Sequence, residues 1–242
     1  MNGPRKTAIV TGASQGIGAG IVKAFVERGM NVVANSRKMT ESAEVAPSNQ
    51  VALVDGHIGE PATAAAIVET ALSRFKSIDV LVNNAGIFFT KPFIDYTADD
   101  FNALVSTNLA GFLYITQRVI KQMLAQKTGG SIVTITGALA HNPIRGSPAS
   151  VPMLTKGGLE TITRHLAMEY ASDRIRVNAV APGVVDTPLH RNDPPEVLRA
   201  LNPMGVIASV KDIVDAVLYL TDAATVTGDT IYVAGGAQSG RW

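Results

Sequence analysis

The run Thr11-Gly12-Ala13-Ser14-Gln15-Gly16-Ile17-Gly18 has the residue types to hold an anion. Glycine permits a tight turn and lets the backbone approach a pyrophosphate closely. Apolar Thr7-Ala8-Ile9-Val10 precedes the run, and Ile21, Val22, Phe25 and Val26 follow it at helical spacing. Strand, glycine turn and helix in that order bring free N–H groups and the positive end of a helix dipole to one point. A dinucleotide is the ligand this context fits. A glycine-rich turn without a ligand is the competing reading, and the flanking strand and helix weigh against it. A second feature closes the next apolar run, Val33-Ala34-Asn35-Ser36-Arg37-Lys38. An acidic residue here would accept hydrogen bonds from a ribose 2′-hydroxyl. None of 34–38 is acidic, and Arg37 offers a planar fork suited to a phosphate. Ser36 and Arg37 therefore join the cofactor-binding set, and the residues favour NADP(H) over NAD(H). The plainer alternative makes Arg37 and Lys38 ordinary surface charges.

These residues need elements to position them. Apolar, Val- and Ile-rich runs at 7–11, 31–35, 51–54, 78–82, 131–136, 175–180 and 230–233 read as strands covered on both faces. Helical patterns lie between them at 17–28, 61–75, 98–126, 153–171 and 211–222. Such alternation means an α/β fold, a doubly wound parallel sheet of about seven strands with helices on both faces. Ligands bind such sheets at the carboxyl ends of the strands. No linker, repeat or low-complexity tract divides the 242 residues, so one domain over 1–242 is expected. A net charge of +1 speaks against a nucleic-acid or membrane partner. The absence of cysteine excludes disulfides, thiol catalysis and thiolate metal sites, and no metal site is expected. Met1-Asn2-Gly3-Pro4-Arg5-Lys6 lacks the apolar core of a signal peptide, and no apolar run approaches the ~20 residues of a membrane span. A cytoplasmic protein is expected.

The spacing Gly-x-x-x-Gly-x-Gly differs from the commoner Gly-x-Gly-x-x-Gly. It resembles the short-chain dehydrogenase/reductase family, as do four further segments in order: Asn83-Asn84-Ala85-Gly86, Ser106-Thr107-Asn108-Leu109-Ala110-Gly111, Lys156-Gly157-Gly158, and Arg176-Val177-Asn178-Ala179-Val180-Ala181-Pro182-Gly183 with Thr187 beyond. The resemblance covers essentially the whole chain. It implies a single Rossmann-like domain and an NADP(H)-dependent oxidoreductase interconverting a small-molecule carbonyl and an alcohol. Gly12, Ser14, Gln15, Gly16, Ile17, Gly18, Thr136 and Lys156 would contact the cofactor. Asn84, Ala85 and Gly86 would pass its ribose, while Asn83 joins strands. Pro182, Gly183, Val185 and Thr187 would fix the nicotinamide carboxamide. Residues 57 and 58 would edge the adenine. Where the family usually has Asp, this chain has His57, followed by Ile58; stacking on the base and facing solvent both stay open for the imidazole. The resemblance also implies a homotetramer built on helices 98–126 and 153–171. The ending Gly240-Arg241-Trp242 places a large aromatic beside an arginine, residue types enriched at interfaces, so Trp242 is expected to pack on a neighbouring subunit.

The family's reaction uses Asn, Ser, Tyr and Lys. Tyrosine gives a proton to the alkoxide, a nearby ammonium lowers the phenol's pKa, serine binds the same oxygen, and asparagine anchors a proton-relaying water. Asn108 and Lys156 match as catalytic residues. The tyrosine position, four before the lysine, is Pro152. The serine position is Gly137, or Leu139 if counted back from Lys156, in a loop about two residues longer than usual. Thr136 is the nearest hydroxyl and a weak substitute. His141 lies in the loop as another candidate acid, since histidine is the side chain suited to proton transfer near neutral pH, although a surface or structural role fits it better. Loop 188–210, with Leu189, His190 and Met204, is expected over the substrate. Phe88 and Phe89 would wall the site or pack in the core. The alternatives are a cofactor-binding protein without turnover, such as a sensor or inactive subunit, and a non-redox enzyme on the same fold.

Overall fold

The computed structural model describes residues 5–240. Trp242 lies outside the described residues. Seven strands form one parallel sheet: β1 (Thr7–Thr11), β2 (Asn31–Ser36), β3 (Val51–Asp55), β4 (Val80–Asn83), β5 (Gly130–Ile135), β6 (Ile175–Pro182) and β7 (Thr230–Val233). Their order is β3-β2-β1-β4-β5-β6-β7. The order reverses between β1 and β4, and the loops leaving those two strands therefore part to open a crevice.

Period-2 alternation divides each central strand between two cores. Val10, Val32 and Val82 face one core with α1 (Gly16–Glu27) and α7 (Val210–Asp222). Ile9, Val33, Leu81 and Ile132 face the other with α2 (Pro61–Phe75) and α4 (Gly111–Gln126). On that second face α5 (Ser150–Glu169) lies against β6 and buries Ala167. Burial on both faces is what makes the central strands largely apolar. The edge strand β7 departs from this, since all four of its residues are half-buried.

Four boundaries depart from the sequence pattern. Strand β4 starts at Val80 rather than 78, because the Ile78 N–H is taken by the Gln126 side chain (2.9 Å) instead of a ladder. Residues 98–126 are not one regular helix. They form α3 (Ala98–Leu104), a π-helical segment (Val105–Ala110) and α4. Helix α5 starts at Ser150, three residues early, with Pro152 in its first turn, where no backbone N–H is required. Loop 188–210 contains a short helix, α6 (Pro195–Ala200). Pro195 presets φ at its first position and Glu196 complements its positive end. No helix among the described residues is long and apolar enough to cross a membrane.

Candidate active site

Gly12 turns the chain out of β1 at φ +63°, and a Cβ there would stand 2.7 Å from Ala85 Cα. A Cβ on Gly18 would strike the Gly12 carbonyl. The glycine turn thus lies directly on the loop that follows β4. Hydrogen bonds lock the two loops together. Asn84 Nδ2 donates to the carbonyls of Thr11 (3.0 Å) and Gly12 (2.9 Å). Thr11 Oγ1 accepts from the N–H groups of Asn84 and Ala85, each at 3.1 Å. Thr11 is a positioning residue that motif reading missed; its signal was a hydroxyl at the end of a buried strand. Gln15 sits at the N-cap of α1 and makes no side-chain cap to its first N–H groups. Ser14 is half-buried, and its carbonyl accepts from Ser42 Oγ at 2.7 Å.

At the end of β2 the Ser36 carbonyl accepts from Gly56 N, and Arg37 is exposed at the cleft edge. Arg37 has no ion-pair partner among the described residues, whereas Lys38 pairs with Glu41 at 3.1 Å. Asp55, the acid closing β3, is turned to Thr40, whose N–H and hydroxyl hold its carboxyl below the usual carboxylate range. The His57 ring is committed: Nδ1 accepts from Gly59 N (3.1 Å), and Nε2 lies 3.3 Å from Thr107 Oγ1. A neutral ring that accepts at Nδ1 carries its proton at Nε2 and donates it to the threonine. Ile58 sends its side chain into the core, 4% exposed.

Lys156 and Asn108 meet below Gly86. A Cβ on Gly86 would be 3.1 Å from Lys156 Nζ and 3.3 Å from Asn108 Oδ1. Asn108, in the π-helical segment, accepts from Ile87 N (2.9 Å) and donates to Ile87 O (3.1 Å) and Thr155 Oγ1 (2.9 Å). Thr155 in turn donates its hydroxyl to the Pro152 carbonyl at 2.7 Å. This chain of bonds ties the loop after β4 to the first turn of α5. Lys156 donates to Ile135 O at 2.8 Å. Burial lowers its ammonium from an ordinary 10.5 to about 8, with no carboxylate in ion-pair range among the described residues.

A cleft of about 750 Å³ opens over these groups. Gln15, Ile17, Arg37, Asn84 and Gly86 line it from the β1, β2 and β4 ends. Thr136, Lys156, Pro182, Gly183, Val185 and Thr187 line it from the β5 and β6 side. His57 and Ile58 lie outside it. Thr136 spends its hydroxyl elsewhere, near Glu160 Oε1 (3.2 Å) and Val180 O (3.3 Å), which removes it as a stand-in for serine. Gly137 is extended, and a Cβ there would meet nothing closer than Met153 Cε at 3.9 Å. Phe88 walls the cleft, whereas Phe89 packs on Tyr96 with centroids 5.9 Å apart. Asn83 bonds Thr116 Oγ1 at 3.0 Å, tying β4 to α4.

The family model described as enoyl-(acyl carrier protein) reductase matches residues 12–238. The chain is 33% identical over 244 residues to 3beta-hydroxysteroid dehydrogenase 1 of Eggerthella lenta, covering 96% of this chain and 93% of that one. It is also 33% identical over 246 residues to carbonyl reductase (NADPH) 2 of Sus scrofa, covering 98% of each. The 3-ketoacyl-(acyl-carrier-protein) reductase of Brucella melitensis, solved with NADH, superposes with a TM-score of 0.90 at 30% identity, over 97% of this chain and 99% of that one.

Proposed function

The chain belongs to the short-chain dehydrogenase/reductase family, and from that premise we propose that it is an NADP(H)-dependent oxidoreductase interconverting a carbonyl and an alcohol with an altered acid–base set. One observation carries the reading: Gln15 and Ile17 of the glycine turn, an arginine without an ion-pair partner among the described residues and a buried lysine line one cleft. The residues present fit the cofactor. Side chains are excluded at Gly12 and Gly18, where a pyrophosphate needs bare backbone, and the N–H groups starting α1 supply the donors. Arg37 takes the 2′-phosphate and Lys156 the ribose hydroxyls. Pro182, Gly183, Val185 and Thr187 hold the nicotinamide end. Asn108 positions the Ile87 main chain and, through Thr155, the start of the helix that carries Lys156. When bound, the reduced cofactor supplies a hydride. One relative's name carries NADPH and one solved neighbour holds NADH, so the NADP preference rests on Arg37.

Pro152 at the tyrosine position and Gly137 at the serine position favour a second reading, a cofactor-binding protein without turnover. For the assembly we propose a homotetramer, supported by apolar side chains that α4 and α5 leave exposed: Leu113 (42%), Leu154 (63%) and Met168 (80%). Calorimetric titration with both cofactors tests the main reading. NADPH is expected to bind more tightly than NADH; equal affinity contradicts the cofactor assignment.

A further inference from the structure

His190 ends the turn Pro188–His190 and lines the same cleft as Lys156. Its Nδ1 lies 2.9 Å from Asp193 Oδ2. A carboxylate at Nδ1 fixes both the ring orientation and the tautomer, and leaves Nε2 to carry the exchangeable proton. Among the described residues Nε2 has no hydrogen-bond partner. Among the described residues, the cleft walls hold no Asp, Glu or Tyr and no second His. The charged or titratable side chains facing the cleft are Arg37 from the end of β2, Lys156 from α5, Arg191 beside His190, and His190 itself, with Asp193 behind it. Arginine does not give up its proton, and Lys156 is bonded to Ile135 O. His141 stacks on Tyr232, with centroids 5.3 Å apart, and does not line the cleft.

We propose that His190, oriented by Asp193, is the proton donor that stands in for the tyrosine. The inference rests on the oxidoreductase reading above. In the reductive direction the carbonyl carbon accepts a hydride from a reduced nicotinamide dinucleotide. The C=O π pair moves onto oxygen, and the imidazolium Nε2–H bond breaks as the O–H bond of the alcohol forms. The N–H electron pair stays on nitrogen, which leaves a neutral imidazole and an oxidised dinucleotide. Solvent then returns the proton to the ring. The Asp193 carboxylate stays ionised and stabilises the imidazolium between turnovers.

The test follows NADPH oxidation between pH 5.5 and 9 with 2,3-butanedione, a 3-oxosteroid and a 3-ketoacyl thioester, in the unsubstituted chain, His190→Gln and Asp193→Asn. The reduction rate of the unsubstituted chain falls as the pH rises, because the donor must carry its proton to act. His190→Gln lowers the rate 10²–10⁴-fold, the size expected for a positioned acid, and abolishes that fall. Asp193→Asn gives a smaller loss. A fluorescence titration shows unchanged NADPH affinity in His190→Gln, which separates proton donation from binding. In a readout free of turnover, the imidazole NMR signals that vanish in His190→Gln shift when NADP⁺ alone is added. An unchanged rate in His190→Gln, a falling limb near pH 8 that both chains share, or imidazole signals that ignore NADP⁺ overturn the proposal. The second of these assigns the proton to Lys156. NADPH bound but consumed with none of the probes by the unsubstituted chain overturns the oxidoreductase reading, and the proposal with it.

Discussion

Lys156 carries a charge that the fold leaves uncompensated. Burial favours its neutral form and brings its pKa to about 8. Between pH 8 and 10.5 the unfolded lysine holds a proton that the folded one has lost, so stability rises with pH across that window. Below pH 8 the full cost is present. Lys156→Met should therefore stabilise the cofactor-free protein at pH 7 by up to about 3 kcal/mol, the energy of the shift. The same variant should lose NADPH affinity. Thermal melts with and without NADPH check both; a destabilised cofactor-free variant contradicts the account. Arg37→Ala should cost NADPH about 1–3 kcal/mol of binding, the range for a hydrogen bond to a charge, and leave NADH unchanged by calorimetry. The tight turn at Gly12 and Gly18 and the cleft positions of Arg37 and Lys156 were legible because residue type and spacing mark them. Thr11 and Thr155 were not, because each acts through bonds to residues distant in sequence: Thr11 to Asn84 and Ala85, Thr155 to Asn108.

The π-helical segment Val105–Ala110 shows how an element serves a site. Its wider turn carries Asn108, whose carboxamide takes both the N–H and the carbonyl of Ile87. Apolar periodicity reads straight through such a segment, which is why 98–126 looked like one helix. Asn108→Leu leaves the part-buried N–H and carbonyl of Ile87 without their side-chain partner and should cost about 1–3 kcal/mol in urea unfolding, by the price of unmet hydrogen bonds; no measurable loss would deny the segment this role. The start of α5 is the other element that matters. Pro152 occupies a first-turn position open to other residues, and Gly137 has room for a side chain. Gly137→Ser with Pro152→Tyr, built into His190→Gln, should restore carbonyl reduction toward the 10²–10⁴-fold effect of a placed acid. Progress curves with 2,3-butanedione check this. No recovery would mean that the longer loop misplaces the phenol.

At the scale of the whole molecule, the doubly wound sheet was readable because strands covered on both faces are written as short runs rich in Val and Ile. The edge strand β7 and the short helix α6 fit that logic less well. One is half-exposed, and the other is set by a proline pair inside a segment without apolar periodicity. Exposed Leu113, Leu154 and Met168 on α4 and α5 predict further burial between subunits. Light scattering should give about four times the 25.4 kDa chain mass; a monomer contradicts the tetramer. The account stands or falls on whether the cleft performs redox chemistry without a tyrosine beside Lys156. Absorbance at 340 nm, recorded with NADPH and a carbonyl panel while the alcohol product is quantified, measures this directly. The account predicts loss of NADPH in step with alcohol formed. Saturable NADPH binding with no consumption across the panel would contradict it, and would make the protein a binder of its cofactor and not an enzyme that uses it.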